Sequence, residues 1–250
     1  LTRGVEEVIE RKDFEKMLAS GKRITVYLGI DPTGADIHIG HSILLRKMRT
    51  LQDWGHEVIL LIGDFTAMIG DPTGRDAARQ PLNTEQVLEN AKDYQKQAAS
   101  ILNFEGENPV IIKYNSQWLS GLNFGAIVDL AANFTVQQMM ERDMFQRRLA
   151  EGKPISLHEF LYPLMQSYDS VHMGVDLELG GSDQLFNMLV GRTLMRKLKN
   201  KEKHVLAVSL LEGSDGRKMS KSFGNHIPLR TPAKDMYGKI ISIHDDLIGR

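Results

Sequence analysis

Short runs rich in β-branched and aliphatic residues recur along the chain, and most are separated by stretches with a helical pattern. The runs fall at Thr25–Ile30, 58–62, 110–112, 175–179 and 205–208. Each is too short for a buried helix and reads as a buried strand. Strand, helix, strand in that order argues for a parallel sheet closed by right-handed crossovers. Between the runs, the pattern predicts a polar helix from about Val5 to Ser20, ending at Gly21. It predicts another from Ile39 to Trp54, stopped by Gly55. A long helix follows Asn83 and Gln86, which are spaced as a capping box. From Leu122 to His172 the pattern is helical throughout, with a second capping box at Ser156 and Glu159. That stretch interrupts the alternation and reads as an insertion between two halves of the sheet. Alternation resumes with a helix over residues 183–197, capped by Ser182, and Thr231 and Pro232 open one more helix.

Two strings carry chemistry. His38-Ile39-Gly40-His41 sits where the second helix begins. Its histidines are one turn apart at the positive end of the helix, where anions are favoured, and Gly40 would let a flat adenine approach the backbone. Lys218-Met219-Ser220-Lys221-Ser222 lies between Gly216 and Gly224. Two lysines supply point charges for phosphate oxygens, two serines supply hydroxyl donors, and the flanking glycines suit a loop that closes and reopens. Alone, the first string is also what a helix start with two surface histidines looks like, and the second a solvated basic loop. Together they suit adenylation of a carboxylic acid. That reaction needs in-line positioning and positive groups around a polyphosphate more than it needs proton transfer.

Other chemistries are excluded or weakened. Gly29 and Gly34 have the spacing of phosphate-loop glycines, but Ala35-Asp36 stands where lysine and a hydroxyl are required. The chain has no cysteine, which removes disulfides, cysteine zinc sites and thiol catalysis. Lys+Arg 31 against Asp+Glu 32 gives a formal charge of -1, so any polyanion must meet a local patch. No apolar run approaches the ~18 residues of a membrane span and no signal peptide is visible, so a cytoplasmic protein is expected. The sequon at Asn133-Phe134-Thr135 is read as chance.

The two strings, in that order and on strand–helix units, resemble the signature motifs of class I aminoacyl-tRNA synthetases. The run from Gly63 to Pro72, Tyr162 to Asp169, and Gly180-Gly181-Ser182-Asp183-Gln184 narrow the resemblance to the bacterial tyrosyl-tRNA synthetases. It implies a Rossmann-like parallel α/β domain split by the helical insertion. The first half would span residues 1–121, the insertion 122–173, the second half 174–230, and a C-terminal helical region would begin at 231–250. It implies that Tyr27 and Asp169 hydrogen-bond a substrate phenol. Asp71, Tyr162 and Gln166 would hold its α-ammonium, and Gln184 would lie near the reacting carboxylate. Thr33, His38, His41, Lys218 and Lys221 would act on the polyphosphate. Gly29, Asp31, Gly40, Gly181, Asp183 and Ser220 would join them in binding ATP. Mg²⁺ would arrive with the nucleotide and need no dedicated protein ligands. The implied partners are L-tyrosine, ATP, tRNA(Tyr) and a second copy, docked through the insertion. Arg142, Arg147 and Arg148 there are candidate phosphate contacts for the tRNA. The chain does not begin with methionine and ends where the family continues into an anticodon-binding domain, so a catalytic-domain fragment is expected.

Three competitors remain at this level. Tryptophan is the nearest alternative substrate, against which the phenol-sized pair Tyr27 and Asp169 speaks. A synthetase-like RNA-binding paralogue should have lost catalytic groups, yet both strings are intact. A nucleotidyltransferase sharing the histidine string would have no use for Tyr162, Gln166 and Asp169. Their i, i+4, i+7 spacing sets them on one helix face.

Overall fold

The structure, a computed structural model, describes residues 1–34, 36–72, 83–213, 215–220, 223–243 and 245. Its centre is a six-stranded sheet ordered β1-β6-β5-β2-β3-β4. The strands are β1 (Val5–Ile9), β2 (Thr25–Ile30), β3 (Glu57–Ile62), β4 (Ile111–Tyr114), β5 (Leu177–Gly181) and β6 (His204–Val208). All neighbouring strands pair in parallel except β1, which runs antiparallel to β6 along one edge. The chain winds outward from β2 to β3 and β4, then returns to lay β5 on the other side of β2. The sheet therefore reverses its direction of growth between β2 and β5, which is where ligands of open α/β sheets bind.

Period-two alternation divides the core into two layers. Val26, Leu28 and Ile30 of β2 join Val58, Leu60 and Ile62 of β3 on one face. There they pack on Leu45 and Met48 of α2 (Ile39–Asp53) and Tyr94 of α4 (Thr84–Ala98), with α1 (Arg11–Ala19) adding Phe14. Tyr27, Ile59 and Leu61 point the other way, towards Val171 of α9 (Leu157–Met173) and Leu194 and Met195 of α10 (Leu185–Lys199). With both faces covered, the central strands are apolar almost throughout. The same alternation sets Tyr27 on the α9 face.

Several boundaries depart from the sequence reading. Residues 5–9 are a strand rather than the start of a helix. Val5, Val8 and Ile9 pack against core residues, the edge of β6 supplies backbone partners, and Glu10 turns through a left-handed φ of 55° before α1 begins. Two short helices, α3 (Asp64–Ile69) and α5 (Ser116–Leu119), were not anticipated. They follow β3 and β4 directly and are too short for periodicity to register. Ser182 does not cap a helix. A single 3₁₀ turn, Ser182–Gln184, precedes α10, and Pro232 rather than Thr231 is the N-cap of α11 (Ala233–Ile241).

Between α5 and β5 lie α6 (Phe124–Ala131), α7 (Val136–Met140), α8 (Asp143–Ala150) and α9. Both capping boxes are present, at Asn83 with Gln86 and at Ser156 with Glu159. Glu159 has a second role. Its carboxylate accepts the Ser156 N–H at 2.8 Å and binds the Arg148 guanidinium at 2.6 and 3.0 Å. Both side chains of that pair are buried. Burial opposes the charge on Glu159, but Arg148 and the Ser156 N–H outweigh it and hold the carboxyl below its ordinary range. Arg148 is therefore locked into the fold and not offered to RNA, contrary to the expectation drawn from its sequence position. Arg148→Met strands the buried carboxylate and should cost about 3–5 kcal/mol of stability at neutral pH. Because the folded Glu159 carboxyl is depressed, the parent's advantage should be full above about pH 5 and fade as the pH falls through the folded value. Urea denaturation of both proteins across pH checks this.

Candidate active site

A cleft of about 530 Å³ opens at the C-terminal ends of β2 and β5. Every described residue assigned a catalytic, tyrosine-binding or ATP-binding role by the sequence reading lines it, and Arg142, Arg147 and Arg148 do not. Lys221 lies outside the described residues.

At the outer end, α2 begins at His38, which is its N-cap, with His41 in the N3 position. The His38 N–H donates to Nδ1 of His41 at 3.3 Å and the two rings lie 3.9 Å apart, so the pair forms its own capping box. A Cβ on Gly40 would sit 3.0 Å from the His38 ring, so glycine here seats the imidazole as well as baring the backbone. The turn before the helix is pinned from α4. Asn90 donates to the Pro32 carbonyl at 2.9 Å, and Gln97 accepts the Ile37 N–H at 2.9 Å. This fixes the approach to His38 on both sides of Thr33.

The segment that follows the second string packs against the first. The Ile39 N–H donates to the Ile227 carbonyl at 2.9 Å, and His38 bridges to Pro228. Asn225 accepts the Ser220 N–H at 2.8 Å and donates to the Lys218 carbonyl at 3.1 Å, which shapes the loop from within. The Lys218 ammonium pairs with the Asp183 carboxylate across the mouth of the cleft. Both groups are partly exposed, so their attraction is screened and adjustable.

At the inner end the polar groups are buried and densely bonded. The Tyr162 hydroxyl donates to Asp31 at 2.8 Å, and Thr66 donates to the other oxygen of the same carboxylate at 2.7 Å. Burial, then the neighbouring Asp31 and Asp71, push the Tyr162 phenol well above its ordinary value, so it stays a donor. Gln184 donates to Asp71 at 2.6 Å, and Arg142 approaches the same carboxylate at 3.3 Å. Gln166 donates to Glu178 at 3.1 Å, and its carbonyl accepts from Asn187 at 2.9 Å. Asp169 accepts from Trp118 at 2.7 Å and from Asn115 at 3.2 Å. Burial raises its carboxyl well above the ordinary carboxylate range, against the pull of those two donors. The Tyr27 hydroxyl meets Ser170 at 2.8 Å. The site is a row of carboxylates at graded depth, joined by shared neighbours: Asn115 donates to both Thr66 and Asp169, and Tyr162, Gln166 and Gln184 each hold one of the carboxylates.

Sequence reasoning missed the orienting residues. Asn115 is the N-cap of α5 and Trp118 lies within it; both reach Asp169 only through tertiary packing, and no local pattern marks them. Glu178 did carry a signal, since it is a charge inside an otherwise apolar strand. Arg142 is a correction. Its side chain is buried beside Phe145 and Phe186 and turned towards Asp71, whereas Arg147 is exposed.

The family model for tRNA synthetases class I (W and Y) matches residues 19–250. The chain belongs to that family. Among its relatives it is 48% identical to a tyrosine–tRNA ligase from Idiomarina loihiensis, over all of this chain and 62% of the relative. It is 50% identical to the Burkholderia thailandensis tyrosine–tRNA ligase, over 99% of this chain and 60% of that one. The chain thus spans about three-fifths of the length of the curated relatives it matches. A crystal structure of Archaeoglobus fulgidus tyrosyl-tRNA synthetase, complexed with L-tyrosine, superposes with a TM-score of 0.79 at 26% identity, covering 97% of this chain and 72% of that one. The Rossmann-like reading of this class I synthetase fold is borne out by that superposition and by the mostly parallel sheet.

Gly63 marks how closely the inner end is packed. A Cβ there would lie 2.0 Å from Oδ1 of Asp31 and 2.4 Å from Oγ1 of Thr66. Gly63→Ala should force Asp31 away from Thr66 and Tyr162 and lower stability by about 1–3 kcal/mol. A shift in the urea midpoint would report the loss.

Proposed function

We propose that this chain is the catalytic portion of a tyrosine–tRNA ligase, joining L-tyrosine to ATP and passing the tyrosyl group to tRNA(Tyr). The observation that carries the reading is a single cleft with imidazoles and a lysine at its mouth and a buried Tyr27–Asp169 pair at its floor. The two ends ask for different ligands. A polyphosphate suits the first, and a side chain tipped with a hydroxyl suits the second.

In this reading the substrate phenol donates to Asp169 and accepts from Tyr27. Phenylalanine would bury both groups without a partner, which is the physical basis of rejection. Asp71, Tyr162 and Gln166 take the α-ammonium. The neighbouring acceptors Asp71 and Asp31 give that end the negative charge a cation requires. Gln184, hydrogen-bonded to Asp71, lies beside the carboxylate that attacks the α-phosphorus of ATP. The carboxylate oxygen forms the new P–O bond as the bond to pyrophosphate breaks, and no proton need move. Thr33, His38 and His41, with Lys218 and Lys221, stabilise charge on the departing pyrophosphate. Gly29, Gly40, Gly181, Asp183 and Ser220 seat the nucleotide, with Asp31 reaching it only indirectly, through the turn it anchors. Mg²⁺ would travel with ATP as counter-charge. Among the described residues, no group of three or more His, Cys, Asp or Glu side chains is placed to hold a metal.

The helices over residues 122–173 would be a separate inserted unit through which two copies pair, with residues 1–121 and 174–230 forming the catalytic halves and 231–250 leading onward. Phe124, Val128, Val136, Leu149 and Leu157 are all exposed there, an apolar surface of the kind that subunits cover. A cytoplasmic enzyme is consistent with a cysteine-free chain in which no described helix is long and apolar enough to cross a membrane.

Amino-acid-dependent ATP–pyrophosphate exchange tests the reading. Exchange should occur with tyrosine and be absent or negligible with phenylalanine and tryptophan; no exchange from a folded protein would favour an inactive paralogue. His38→Ala should slow exchange by about 100-fold or more while leaving the tyrosine dissociation constant within about threefold. Equal losses in both would remove His38 from a transition-state role.

A further inference from the structure

Lys203 is the one lysine of the described chain with no exposed surface, and nothing in the proposed reaction uses it. It enters from the turn before β6 and ends between α9 and α10. Its ammonium pairs with the Glu178 carboxylate and donates to the Ser170 hydroxyl at 2.9 Å. Glu178 is buried too, and it stands directly opposite Tyr27 in the β2–β5 register, so both side chains share the α9 face. Room for the ammonium comes from α10. A Cβ on Gly191 would lie 2.5 Å from Nζ of Lys203 and 3.4 Å from Oγ of Ser170. Glycine inside a helix is destabilising relative to alanine, and here it is what admits the charge. Burial lowers the Lys203 pKa, and Glu178 acts against that shift.

The ion pair sets a preferred direction for the hydrogen bonds here. Lysine donates and never accepts. Ser170 has one proton and two candidate acceptors, Tyr27 at 2.8 Å and Oε2 of Glu178 at 3.3 Å. That Glu178 oxygen is already engaged by the ammonium, and one lone pair of Ser170 is filled by the same ammonium. By holding that carboxylate oxygen, the ammonium favours the serine proton on Tyr27, the nearer acceptor, over Glu178. Tyr27 then has two acceptors for its own proton, the Glu178 carboxylate and a ligand in the cleft, and the ammonium on Glu178 weakens the first. Burial and the nearby Glu178 and Asp169 keep it a neutral phenol.

We propose that Lys203 is a positioning residue for side-chain recognition. It orders a one-way chain of donors, from Lys203 through Ser170 to Tyr27, so that the Tyr27 hydroxyl faces the cleft as a donor. This rests on the reading of Tyr27 and Asp169 as the phenol site. The substrate hydroxyl then completes a line that begins at a buried cation and ends at a buried anion, accepting from Tyr27 and donating to Asp169. Without the ammonium, Glu178 is uncompensated and draws the protons of Ser170 and Tyr27 towards itself. The substrate phenol oxygen would then be buried with no donor.

The test is ATP–pyrophosphate exchange by the parent chain, Lys203→Met and Gly191→Ala, with tyrosine and phenylalanine in turn. Lys203→Met should lower kcat/KM for tyrosine by about 10- to 100-fold, wholly through KM, and leave kcat/KM for phenylalanine within about twofold. Gly191→Ala, which displaces the ammonium but retains its charge, should move the tyrosine-to-phenylalanine ratio in the same direction. It decides the matter if Lys203→Met does not fold. Parallel losses for both amino acids, or an unchanged ratio in a folded variant, would overturn the role of Lys203 and leave the phenol site standing. A parent chain that does not prefer tyrosine to phenylalanine would overturn the phenol-site reading and this inference together.

Discussion

The parallel pairing of β2 with β5 is the constraint on which the rest of the molecule depends. Between the end of β2 at Ile30 and the start of β5 at Leu177 lie 146 residues of chain.

 Nothing local brings them together. Right-handed crossovers carry β3 and β4 to one side of β2, which leaves its other edge open for β5. Once that edge is filled, the loops after the two strands diverge, and the gap between them becomes the cleft. Tyr27 and Glu178 face each other across this pairing, while Asp31 and Gly181 end the strands at its rim.

Burying so many ionisable groups beside one cleft is costly, and the structure offsets the cost by giving each one dedicated partners. Asp169 has Trp118 and Asn115, Asp31 has Tyr162 and Thr66, Asp71 has Gln184 and Arg142, and Glu178 has Lys203 and Gln166. A buried polar group left unpaired costs more than a paired one returns. The network is thereby tied to a single arrangement of α3, α5, α9 and α10. Arg142 extends it into α8, so the helices between β4 and β5 bear directly on the inner end of the cleft. The outer end is built differently. His38, Lys218 and Ser220 sit on a helix start and a loop joined by a few backbone contacts, with partly exposed charges that can exchange partners at little cost.

Local patterns carried much of this. The central strands, the long helices, both capping boxes and the stretch of helices that breaks the alternation were all legible, because each depends on residues within a few positions of one another. So was the grouping of Tyr162, Gln166 and Asp169 on one face of α9, which follows from helical periodicity alone. The misses share a cause. Residues 5–9 became a strand because β6 offered an open edge, and α3 and α5 are too short to show a period. Arg142 and Arg148 looked like surface charges until their carboxylate partners, Asp71 and Glu159, were in place.

The sequence by itself determined most of the elements, their parallel arrangement and the two strings proposed to meet a polyphosphate, since spacing and residue type are enough to specify a strand, a cap or a donor-rich loop. The tertiary structure alone decided which carboxylates stay buried and what holds them. Trp118 reaches Asp169 across 51 positions and Tyr162 reaches Asp31 across 131. Lys203, unremarkable in a run of charged residues, becomes a buried cation because Gly191 leaves space for it and Glu178 waits there. Hydrogen bonds and ion pairs act over a few ångströms of space, and no pattern along the chain records which distant residues folding brings within that reach.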